Sequence, residues 1–231
     1  MANSREEIKR DLDDILVKGL AENICQAEEA MALCAGIGEN AGAGFGSGNR
    51  QLFSRIRIML ERYAILAVTR LFEPEEDGFH SISIPVALNY MRFHADYLEL
   101  NDREFILKKL ISFGHEAKEF EGIPDPWITQ LVRKEFADRM PNDDDPDSDD
   151  LSKALVSLKS MRDTFVTDAV TEQELEEIEK AERSMKTLLI YARDFIGTIG
   201  QGYLGVVFES NPNVLQNELA QLLNRIGAPQ D

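Results

Sequence analysis

Two arginines stand where a helical chain ordinarily places apolar side chains. From about Arg50 to Phe72, Leu52, Ile56, Met59, Tyr63 and Leu66 recur at helical spacing. At about 100° per residue, Arg70 falls on the centre of that stripe. A second stripe, Leu151, Leu155, Leu158 and Phe165, contains Arg162 in the same way. Both arginines are therefore expected to point inward. A guanidinium does not escape burial by losing its proton, so each requires an anionic neighbour. One solution is a structural ion pair with a carboxylate, or an arginine that reaches the surface from the end of its stripe. The other is a cleft between helices where an anionic ligand such as a phosphodiester accepts charge-assisted hydrogen bonds. The spacing leaves both open.

Other chemistry-bearing residues point less clearly to a site. The run Asn142 to Asp150 holds six aspartates but lacks the glycine and distal glutamate of a calcium loop. It reads as a solvated loop that also caps the next helix. The segment Ala41 to Gly48 is glycine-rich, yet it follows a helix and has no Gly-Lys-Ser/Thr ending, so a connector is favoured over a phosphate loop. Cys25 and Cys34 lie nine residues apart in one helical pattern, a rise of about 13 Å, too far for a disulfide. Neither a zinc ligand set nor a nucleophile elbow is apparent. No metal and no small-molecule cofactor is implied.

The elements that must carry these residues are helices. Ser4-x-x-Glu7 is a capping box that opens an N-terminal helix over 4–33. Six glycines mark a loop over 36–48, and a strongly apolar second helix runs to Phe72, before Pro74. Ser83 caps a helix with Pro85 in its first turn that runs towards Leu98, and Asn101 is placed to cap the next. A shorter helix with Trp127, Leu131 and Phe136 ends near Met140, ahead of the acidic loop 142–150. Helices follow over Leu151 to about Thr167, and from the capping box Thr171-x-x-Glu174 to about Gly197. The segment Tyr203 to Phe208 reads as a strand or as more helix, and a last amphipathic helix occupies 211–227. The whole reads as an all-α bundle in a single domain, 1–231, with little or no strand.

Composition agrees with a folded chain. Of 231 residues, 43% are hydrophobic and 29% charged, a globular mixture able to bury a core. The formal net charge of −17 disfavours a broad nucleic-acid-binding face, though not a small basic cleft. No apolar run reaches a bilayer span and the N-terminus lacks a secretory h-region, so the chain reads as cytoplasmic with no membrane partner.

The two arginine-bearing segments resemble a known group. Ala64-Ile65-Leu66-Ala67-Val68-Thr69-Arg70-Leu71-Phe72-Glu73-Pro74, followed by Ser81-Ile82-Ser83-Ile84-Pro85, resembles the central signature of AbiU-type abortive-infection proteins of bacteria. Leu158-Lys159-Ser160-Met161-Arg162-Asp163-Thr164-Phe165-Val166-Thr167-Asp168 resembles the later segment of that group, assigned to the HEPN superfamily. The resemblance spans about Gln51 to Ile196. It implies a HEPN-like bundle over 50–200, a homodimer, an RNA or protein partner, and descent from metal-independent ribonucleases. In those enzymes an arginine stabilises charge on phosphorus while a histidine takes the proton of a ribose 2′-hydroxyl. Arg162 and Asp163 match the start of that motif, but Asp168 stands where the histidine belongs. A carboxylate is a weaker base than imidazole and repels the phosphate it would serve. The motif is therefore read as degenerate, with Arg70 and Arg162 retained as ligand-binding candidates. His80, His94 and His115 remain as substitute bases from other segments.

Overall fold

A computed structural model describes residues 4–40, 47–74, 82–143, 145, 148–164, 174–209 and 221, the side chains of 39, 40, 47–50 and 174–179 excepted. It is an all-α bundle, with no strand among the described residues. Ser4 and Glu7 form the expected capping box, and α1 (Arg5–Ile15) follows with Ile8 and Leu12 buried. A π-helical stretch, Leu16–Ala21, joins α1 directly to α2 (Glu22–Asn40). The helix thus passes through the expected boundary at residue 33 and absorbs Gly36 and Gly38 of the proposed loop. Each glycine costs helix stability relative to alanine. Here the cost is offset by packing, since Gly36 and Ile37 are buried and Gly38 faces the Arg57 guanidinium.

The next helix, α3 (Ser47–Arg70), begins inside the expected loop as well. It runs antiparallel to α2: Cys34 lies beside the Arg57 carbonyl, and Gln26 accepts from the Tyr63 hydroxyl. Ala27 and Ala30 of α2 and Ala64 and Ala67 of α3 are all buried, and small residues in a helix pair allow close packing. Just past α3 the carbonyl of Leu71 accepts from Ile84 N at 2.8 Å, which fixes the start of α4 (Ile84–His94). Ser83 caps α4 as expected, with Pro85 in the first turn. A 3-10 turn, Ala95–Tyr97, ends it.

Asp102, rather than Asn101, caps α5 (Arg103–Ser112), its carboxylate accepting from Phe105 N at 2.9 Å. Asn101 N instead donates to the Gly202 carbonyl at 2.7 Å. After a second 3-10 turn, Ala117–Phe120, comes α6 (Asp125–Asp138). The chain then enters α7 (Asp150–Thr164), capped by Asp149, which accepts from Ser152 N at 2.8 Å. Last is α8 (Glu174–Ile199), which passes through Gly197 and closes in a π turn, Gly200–Leu204, ended by Gly205 in the left-handed region at φ 72°. Tyr203 and Leu204 thus continue the helix, one of the two readings of that segment, whereas 205–208 are neither helix nor strand. The helix over 211–227 and the capping residue Thr171 lie outside the described residues.

One continuous apolar cluster joins all of these helices. At its centre Phe136 stacks edge-on against Phe195 and Tyr191, and Tyr203 donates to Thr129 Oγ1 at 3.1 Å with both side chains buried. On the outer face of α8 Lys186 pairs with Glu182, four residues before it, at 2.6 Å.

Candidate functional site

Arg162 lies in the last turn of α7, where the seam Leu151, Leu155 and Leu158 turns it towards the end of α3. It is half-buried and is met by two carboxylates. Its Nη1 donates to Glu73 Oε1 at 2.7 Å, and its Nε to Asp163 Oδ1 at 3.1 Å. Glu73 lies three residues beyond the end of α3 and is half-buried, whereas Asp163 is exposed. The anionic neighbour that burial demands is thus supplied from within the chain. Glu73 stands 89 residues from Arg162. Nothing in its spacing marked it out as the partner.

Arg70 corrects the sequence expectation, because it is exposed. The stripe Leu52, Met59, Tyr63 and Leu66 is exposed with it. α3 carries apolar residues on two faces, and the face that packs is Ala64, Ile65, Ala67, Val68 and Leu71. The buried face mixes small and large side chains, and Tyr63 at its edge reaches across to Gln26 of α2. Arg70 and Arg162 consequently do not converge inside the bundle. Asp168, and His80 among the substitute bases, lie outside the described residues.

The other two histidines are engaged elsewhere. His94 lies against the Tyr90 ring at 4.4 Å between centroids. His115 sits between Glu119, 3.3 Å from Nδ1, and Glu135, 3.0 Å from Nε2, and Glu135 also pairs with Arg139 at 3.1 Å. This bridge ties the Ala117–Phe120 turn to α6. The nearest sequence signal for it is the i, i+4 spacing of Glu135 and Arg139. No group of His, Cys, Asp or Glu among the described residues is arranged to hold a metal ion. The described part of the acidic loop is likewise tied up locally: Lys159 pairs with Asp143, and Ser148 and Ser152 donate to Asp149.

A recess of about 360 Å³ opens beside the π turn, between α1 and the chain leading into α5, lined by Arg5, Lys9, Glu99, Asn101 and Tyr203. Arg5 and Glu99 pair at its mouth. Cys25 and Cys34 form no disulfide and are half-buried. Burial, followed by the nearby Glu61, pushes the Cys34 thiol up to about 12, so it is protonated and unreactive at neutral pH.

The chain matches no family model, no curated protein and no solved structure. No helix among the described residues is long and apolar enough to cross a membrane.

Proposed function

We propose that this chain is an AbiU-like HEPN protein whose ribonuclease motif has degenerated, and that it acts by binding, as a homodimer, in phage defence or a toxin-antitoxin setting. The observation that supports this reading is the arginine of the motif. A guanidinium that stabilises a phosphorane must be open to phosphate, whereas Arg162 is already neutralised by Glu73 and Asp163. A substrate would have to displace a carboxylate that carries its own kind of charge. With Asp168 in place of the histidine, the 2′-hydroxyl proton also lacks an imidazole acceptor.

The test is cleavage of single-stranded RNA in the presence of a chelator. Wild-type protein leaves the RNA uncut; Asp168→His moves it towards activity, and Arg162→Ala in that background removes whatever is gained. Robust metal-independent cleavage by the wild type, lost on Arg162→Ala, overturns the reading in favour of a ribonuclease that uses Arg162 with Asp168 or a distant histidine. Light scattering over micromolar concentrations tests the dimer, and a monomer throughout counts against it.

A further inference from the structure

The exposed stripe of α3 has a period of its own. Leu52, Ile56, Met59, Tyr63, Leu66 and Arg70 are spaced alternately four and three residues apart. That is the heptad spacing of a coiled-coil seam, which lets one helix receive the side chains of another along its length. The seam extends about 27 Å at the usual rise per residue. Met59 is 70% exposed, Leu52 54% and Tyr63 45%. Large apolar residues in register over about four turns are not the scattered surface apolar residues of an ordinary monomer.

Charge identifies the occupant. α3 carries five arginines against one glutamate, in a chain of net charge −17. On its outward face Arg55 and Arg70 accompany the seam with no acidic residue, and neither pairs with another described residue. A second copy docking through α3 would set this basic helix against itself. Nucleic acid would meet a leucine-methionine centre where phosphate contacts need cations. An anionic bilayer would repel the rest of this acidic molecule.

We infer that the outward seam of α3 is the docking site for an amphipathic helix of a protein partner, apolar along its own heptad seam and acidic on its flanks. Leu52, Met59 and Leu66 supply the apolar contacts; Arg55 and Arg70 set the charge preference and orientation. The inference rests on reading the chain as a binding protein, but not on its ribonuclease motif.

The probes are two fluorescein-labelled synthetic peptides of about four heptads, with isoleucine and leucine in the seam positions and either glutamate or lysine on the flanks. Like-charged flanks keep each peptide from pairing with itself. Fluorescence anisotropy with the full chain should show saturable binding of the glutamate peptide, at least tenfold tighter than of the lysine peptide. Met59→Glu should weaken it tenfold or more with an unchanged thermal midpoint. Leu52→Glu serves as the second variant should Met59→Glu fail to fold. The double variant Arg55→Ala, Arg70→Ala should erase the preference between peptides. Absence of saturable binding, equal binding of both peptides, or binding indifferent to both seam variants overturns the proposal. So does a homodimer that Met59→Glu dissociates, because the seam would then belong to a second copy. RNA cleavage by these samples reports on the ribonuclease reading separately.

Discussion

Removing the Glu73 carboxylate tests whether Arg162 is held by the chain itself. At 2.7 Å the bare attraction between unit charges is about 1.5 kcal/mol in bulk water and about 6 kcal/mol at an effective dielectric of about 20. Glu73 keeps 35% of its side-chain surface and Arg162 28%, so screening and desolvation leave a coupling of about 1 kcal/mol. Asp163 is 69% exposed and should contribute less than about 0.5 kcal/mol. The perturbation is Glu73→Gln, which conserves shape, in a double-mutant cycle with Arg162→Gln; Asp163→Asn is the control. Urea unfolding followed by far-ultraviolet circular dichroism reads the coupling as the departure from additivity. A chain of this size should lose about 2–4 °C in thermal midpoint per kcal/mol. In about 1 M salt, where the Debye length is about 3 Å, the coupling should shrink. A coupling indistinguishable from zero at low salt, or a larger cost for Asp163→Asn than for Glu73→Gln, would refute the closed pair and return Arg162 to the solvent.

Three further outcomes follow from the same structure. Thr129→Val should cost about 1–3 kcal/mol by leaving the buried Tyr203 hydroxyl without its acceptor, and adding Tyr203→Phe should recover most of that loss in urea unfolding. Asp149→Ala should remove the cap of α7 and cost about 1 kcal/mol at neutral pH. Burial alone would raise the Asp149 carboxyl, but the hydrogen bonds from Ser152 and Ser148 and from the backbone of Ser152 and Leu151 outweigh it and hold the carboxyl below its ordinary value. Its stabilisation is therefore complete above the unfolded value and lost as pH falls through the folded one, so the gap between variant and wild type should close in acid. Finally, iodoacetamide should label Cys34 only on unfolding, since burial has pushed that thiol up to about 12; rapid labelling of the native protein at neutral pH would contradict its placement against α3.

The helices were legible because their signals are local. Ser4 with Glu7, Ser83 with Pro85, and the apolar periods of α6, α7 and α8 are properties of neighbouring residues, and the structure keeps them. Boundaries failed where packing overrode propensity. Gly36, Gly38 and Gly197 read as interruptions, yet each lies inside a helix, where the packing of the whole element outweighs the cost of one glycine. Within the candidate site, an inward arginine in need of an anion was readable from the α7 seam, and Arg162 satisfies it. Which anion was not, because Glu73 reaches Arg162 through the way α3 and α7 lie together, and no spacing encodes a contact across 89 residues. Arg70 shows the limit most plainly. α3 offers an alanine-rich face and a leucine-methionine face, and periodicity alone makes both eligible for the core. The tertiary structure decided between them: the bundle closes over the face that carries Ala64, Ile65, Ala67 and Val68, and a helix that buries one face leaves the opposite one, with Met59, Leu66 and Arg70, to solvent.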